Sequence, residues 1–113
     1  MEVITSKVTA GIHLPQAGPA ASADAISDVA ELAESLGFQD VWVSDHLIIP
    51  ADAKYPPSAY IYEPLAVMAW VAAKTTKVKL GTTVLVLPMR NPIVVAKSLA
   101  SIDPVSYTHL RAH

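Results

Sequence analysis

The sequence contains no cysteine. That absence excludes a disulfide framework, a thiolate nucleophile, an iron–sulfur cluster and any zinc site built on thiolates. Charge is scarce as well: 16% of the 113 residues are Asp, Glu, Lys or Arg, ten acidic against eight basic, for a formal net charge of −2. With no basic block to neutralise phosphates, neither nucleic acid nor an anionic membrane surface is an expected partner. Long apolar runs are missing too. The longest, residues 65–73, falls far short of the roughly 20 residues that span a bilayer. The start, Met1-Glu2-Val3-Ile4-Thr5-Ser6-Lys7, has neither a basic opening nor an apolar stretch of signal-peptide length, so a soluble, cytoplasmic protein is expected. What the chain has in quantity is buryable side chain, 52% hydrophobic residues. That is too many for disorder and implies one core, or part of one.

Proline and glycine punctuate the chain into alternating elements. Val8-Thr9-Ala10-Gly11-Ile12-His13-Leu14 is a short apolar segment that stops at Pro15, and reads as a strand followed by a loop. Over residues 24–36, Ile26, Val29, Ala30, Ala33 and Leu36 recur at helical spacing, with Ser22 or Asp24 to cap the helix and Gly37 to end it. Residues 38–44 are β-rich and short, a second strand. Residues 45–62 hold Pro50, Pro56 and Pro57 and form a long loop. Glu63-Pro64 opens a second, buried helix to residue 74, because a proline in the first turn lacks only a donor that has no intrahelical partner there. Residues 78–87 predict a third strand, and Asn91-Pro92 a third helix running to about residue 101. The order β-α-β-α-β-α implies parallel strands covered by helices. Two architectures remain open at this point, a doubly wound sheet and three units of an eight-unit barrel that needs about 250 residues.

In either architecture the site lies at the carboxyl ends of the strands. The residues there are His13 and Gln16, then Asp45 and His46, then residues 82–84. An imidazole beside a carboxylate, followed by a long loop that could exclude water, suits proton transfer near neutral pH. Spacing alone favours the plainer reading, a capping Asp and a loop histidine. His13 has no second histidine at metal spacing, and no metal site is assigned. Trp42 and Trp70 are expected to be packing anchors. Arg90 and Lys97 could each reach a phosphate, although single basic residues near a helix start are usually solvated.

Gly11-Ile12-His13-Leu14-Pro15-Gln16, residues 33–46 ending in Val43-Ser44-Asp45-His46, and residues 80–92 with Gly81-Thr82-Thr83-Val84 and Arg90-Asn91-Pro92 occur in an order that resembles the amino-terminal third of the luciferase-like monooxygenase superfamily. The resemblance covers roughly residues 8–103. It implies the first three βα units of a TIM (β/α)8 barrel, and a flavin- or deazaflavin-dependent oxidoreductase that uses FMN or coenzyme F420 on a small organic substrate. Carried onto this chain, it places His46 beside the reactive edge of the bound ring as proton acceptor or donor, with Asp45 near the cofactor. Thr83 and Val84 would back the ring, on a bulge with a non-prolyl cis peptide. The choice between FMN and F420, and between hydride transfer and oxygenation, stays open, as does a homo-oligomeric parent.

The chain departs from the family after Ser101-Ile102-Asp103. There the resemblance implies Leu-Ser, two glycines and Arg leading to a fourth strand, and the sequence instead reads Pro104-Val105-Ser106-Tyr107-Thr108-His109-Leu110-Arg111-Ala112-His113. Residues 1–103 are therefore expected to be a partial luciferase-like domain and residues 104–113 a non-native tail without strand structure, in which His109 and His113 are inert. On that reading the third strand presents an unpaired edge, and the chain is aggregation-prone or partly molten and lacks turnover alone. A small, non-catalytic α/β binding or regulatory module, or an inactive truncated product, is the alternative.

Overall fold

Each helix is set by a local signal that the structure, a computed structural model, confirms. Ser22 caps the first helix, α1 (Ala23–Ser35), by accepting from the Ala25 amide at 3.0 Å, and Gly37 closes it with φ +85°, a conformation that favours glycine. Glu63 caps α2 (Pro64–Ala72) by accepting from the Ala66 amide at 2.8 Å, with Pro64 in the first turn. Asn91 caps α3 (Pro92–Ser106) through the amides of Ile93 and Val94. The structure describes residues 8–55, 58, 60–106 and 110–112, with the backbone alone for 105, 106 and 110–112. The expectations for residues 1–7, Pro56, Pro57, His109 and His113 lie outside the described residues.

The strands are β1 (Gly11–His13), β2 (Asp40–Val43), β3 (Lys79–Thr82) and β4 (Leu110–Ala112), all parallel in the order β1-β2-β3-β4. Side chains alternate across a strand, so Val41 and Val43 point one way with Leu80 and Thr82 beside them in register. Against that face pack Ile26, Ala30 and Ala33 of α1, Val67, Met68, Val71 and Ala72 of α2, and Ile102 of α3. Trp42 points the other way, between two glycines. A Cβ added to Gly11 or to Gly81 would lie 2.5 Å from its ring atoms, so the indole spreads across both neighbouring strands only because those positions have no side chain.

Three expectations need correction. The third strand ends at Thr82 rather than at residue 87, because the Val86 amide is taken by the Asp45 side chain at 2.9 Å and the chain then coils into a 3-10 turn, Leu87–Met89. The third helix runs past Pro104 to Ser106 instead of stopping near residue 101; Ile102 is buried in the core, and that packing holds the last turns despite the missing amide. The tail after Pro104 is not without strand structure. Leu110–Ala112 pairs with β3, Leu80 opposite Leu110 and Thr82 opposite Ala112, since an open strand edge offers its N–H and C=O groups to any extended chain regardless of side-chain pattern.

Glu34 ties α1 to the entry of β3. Its carboxylate accepts from the amides of Thr76 (2.9 Å), Lys77 and Val78 (3.0 Å). Partial burial opposes the charge, but the hydrogen bonds from Val78, Lys77 and Thr76 outweigh it and hold the carboxyl below its usual pKa. A lowered folded-state pKa gives stability above the unfolded value and loses it as pH falls through the folded one. The melting temperature is therefore expected to drop between about pH 5 and pH 3, and less steeply for Glu34→Gln, as a pH series of thermal melts would show. In urea denaturation, Gly81→Ala is expected to cost about 1–3 kcal/mol through displacement of the Trp42 ring.

Candidate active site

The carboxyl ends of β1, β2 and β3 meet in a polar surface knit together by one buried amide. Gln16 is 1% exposed. Its Nε2 donates to the carbonyls of Ser44 and Tyr62, each at 3.0 Å, and its Oε1 accepts from the Ser44 amide. Its backbone carbonyl receives the Tyr62 amide at 3.0 Å, and Ala17 bridges Ile61. The end of the long loop is thereby closed against the end of β1. The sequence places Gln16 at a strand end, but the partners of its amide lie 28 and 46 positions away and carry no local signal.

His13 and Ser44 continue the surface. His13 Nε2 lies 2.8 Å from Ser44 Oγ and its Nδ1 2.9 Å from the Leu14 carbonyl, while Ser44 Oγ donates to the Thr83 carbonyl at 3.3 Å. A polar chain thus crosses from β1 to the segment after β3. Thr83 is pinned from the other side by donating its amide to the Val43 carbonyl at 2.8 Å. The Thr83–Val84 peptide is cis, as the resemblance implied. Both residues are exposed at the site, Val84 by 56%.

Asp45 and His46 diverge at the end of β2. The Asp45 side chain has no exposed surface; its Oδ2 accepts from Arg90 Nε (2.8 Å) and the Val86 amide, and its Oδ1 from Arg90 Nη2 (2.7 Å). The Arg90 hydrogen bonds, against the opposing effect of burial, hold its carboxyl below the usual range, with the Val86 amide adding to them. Arg90 also meets Glu63 Oε1 at 2.6 Å. The pairing with both acids pushes its guanidinium pKa up. The expectation that Arg90 is solvated is thus corrected: its side chain is 9% exposed, because two carboxylates from other elements compensate its burial. Sequence could show Glu63 at the start of a helix but not as a partner of Arg90.

His46 is half-buried, with the Tyr55 ring edge-on at 6.3 Å, and neither of its ring nitrogens hydrogen-bonds a described residue. The described grooves lie elsewhere. One of about 320 Å³ runs between α1 and α2 past Trp70, and a second, between α2 and α3, reaches Lys97. Neither is lined by His46, Thr83 or Val84. Trp70 departs from the packing role expected of it: it is 45% exposed, with its Nε1 on Ser27 Oγ at 2.8 Å and Lys74 over its ring. Trp42 does act as an anchor. Among the described residues no cluster of His, Asp and Glu could hold a metal ion, and no helix is long and apolar enough to cross a membrane.

Parallel βα units with polar side chains gathered where the strands end define an α/β protein. The chain belongs to the luciferase-like monooxygenase family, whose family model matches residues 3–107. It is 40% identical over 79 residues to an F420-dependent glucose-6-phosphate dehydrogenase of Kineococcus radiotolerans, covering 68% of this chain and 22% of that protein. It is 32% identical over 90 residues to an uncharacterized protein of Mycobacterium tuberculosis, 69% of this chain and 32% of the other. Among solved structures, it superposes on the coenzyme F420-dependent tetrahydromethanopterin reductase of Methanopyrus kandleri with a TM-score of 0.70 at 25% identity, over 93% of this chain and 26% of that one. The monooxygenase RslO1 of Streptomyces bottropensis gives 0.69 at 30% identity, over 93% and 32%. The chain therefore spans about a fifth to a third of the length of these relatives. Its fold is that of the amino-terminal βα units of their TIM barrel.

Gln16→Leu is expected to lower stability by about 3 kcal/mol, since it leaves the Ser44 amide and the Ser44 and Tyr62 carbonyls without their partner. Urea denaturation of the two proteins measures it.

Proposed function

We propose that this chain forms the first part of the active centre of a coenzyme F420-dependent oxidoreductase that takes a hydride from a small organic substrate. The observation that carries the reading is the pairing of an imidazole whose nitrogens hydrogen-bond no described residue, His46, with an exposed backbone segment, Thr83–Val84, at the same strand ends. The residues fit one face of a planar ring: Val84 offers an exposed apolar side chain, and the polar chain from His13 through Ser44 holds the Thr83 carbonyl behind it. Two of the relatives carry F420 dependence in their names, which favours the deazaflavin over FMN.

When bound, F420 supplies a hydride acceptor. His46 takes the substrate's hydroxyl proton on a ring nitrogen as the adjoining C–H bond gives up its hydride, so the alcohol leaves as a carbonyl compound. Gln16 and Ser44 keep the strand ends in register during this step. A second reading, FMN with oxygenation, is supported by the similarity to a monooxygenase at 30% identity.

The test is a fluorescence titration of the chain with F420 and, separately, with FMN, paired with amide NMR spectra. F420 is expected to bind at least about ten-fold more tightly than FMN, and to shift the amide signals of Thr83 and Val84 and the ring signals of His46. Tighter binding of FMN would favour the second reading. Shifts confined to the grooves between the helices, or none at all, would refute both.

A further inference from the structure

Besides the Ser44 Oγ bond to the Thr83 carbonyl at 3.3 Å, the segment that carries Thr83 and Val84 is fastened to the end of β2 at three further points, all within residues 43–45. The Thr83 amide donates to the Val43 carbonyl at 2.8 Å, the Val86 amide to Asp45 Oδ2 at 2.9 Å, and Arg90 grips both Asp45 oxygens at 2.8 and 2.7 Å. His46 is the next residue. The Asp45 side chain has no accessible surface, so a bound molecule cannot reach its oxygens, and its two partners already occupy both of them. Contact with a cofactor therefore does not explain this carboxylate.

The charge is also arranged for orientation rather than attraction. A guanidinium offers a planar fork that fixes both distance and angle to a carboxylate, which an ammonium does not. Glu63 holds the outer side of the fork at 2.6 Å while its other oxygen caps α2 at Ala66, so the fork is braced against a helix as well. Removing one member of such a desolvated pair leaves the other uncompensated, and the two then behave as one unit in mutational cycles.

We infer that Asp45 and Arg90 are positioning residues that set the separation and angle between His46 and the Thr83–Val84 segment, and hence the slot into which a planar ring fits. This rests on the function proposed above for the same site. The pair acts through the loop it holds and touches no ligand.

Three measurements on the full chain test it. In the unmodified protein, Arg90 Nε–H should give a distinct, slowly exchanging resonance, and its absence would overturn the pairing. Asp45→Asn and Arg90→Lys should each weaken F420 binding by about ten-fold, with the double variant no weaker than the worse single one. If Asp45→Asn weakens binding while Arg90→Lys stays within about two-fold of the unmodified protein, Asp45 touches the ligand itself and the inference falls; it falls equally if both stay within that range. Should the unmodified chain bind neither cofactor, the proposed function fails, and hydrogen exchange then decides on the pair. Exchange of the Val86 amide about ten-fold faster in Arg90→Lys upholds the latch, and unchanged exchange overturns it. If Arg90→Lys does not fold, judged by circular dichroism, the Arg90 Nε–H resonance of the unmodified protein decides alone.

Discussion

The arrangement of the strand-end surface depends on the buried pairing of Asp45 with Arg90. A carboxylate removed from water needs its oxygens filled, and here a guanidinium fork and one backbone amide fill them. Because the amide belongs to Val86, the pairing ends the β3 ladder early and turns the chain into the Leu87–Met89 coil. Because Arg90 also meets Glu63, the start of α2 is drawn to the same point. His46 is left outside this web, with neither ring nitrogen hydrogen-bonded to a described residue, although it adjoins Asp45 in the chain.

A second constraint comes from the face of the sheet that the helices leave open. Parallel sheets normally bury both faces. In this chain α1, α2 and α3 share a core against one face, and on the other Trp42 lies flat across Gly11 and Gly81. That surface matches the inside of a (β/α)8 barrel, where strands present side chains to a filled interior. The family match and the short span relative to its relatives agree with it. The two grooves between the helices lie on the outside, away from this face.

Much of this was legible in the chain itself. The caps at Ser22 and Asn91, the helix start at Glu63-Pro64, the terminator at Gly37 and the alternation of elements were readable because each depends on residues a few positions apart. Errors arose where tertiary contacts overrode a local rule. Pro104 should have ended a helix, yet Ile102 packs into the core and the helix continues. Residues 110–112 have no strand pattern, yet a free edge recruits them. Arg90 looked like a solvated residue near a helix start because neither of its acidic partners is a neighbour in sequence.

The sequence by itself determined the order of strands and helices, their parallel pairing, the family, and the places where strand ends would gather polar residues. These follow from periodicity, capping and turn chemistry, which act over one or two turns of chain. Only the tertiary structure decided which of the gathered residues are free and which are committed. His46 and Asp45 are adjacent in sequence, but one hydrogen-bonds no described residue through its ring and the other is locked to a residue 45 positions away. That difference is set by burial and by the partners available in three dimensions, and neither is encoded within reach of a local pattern.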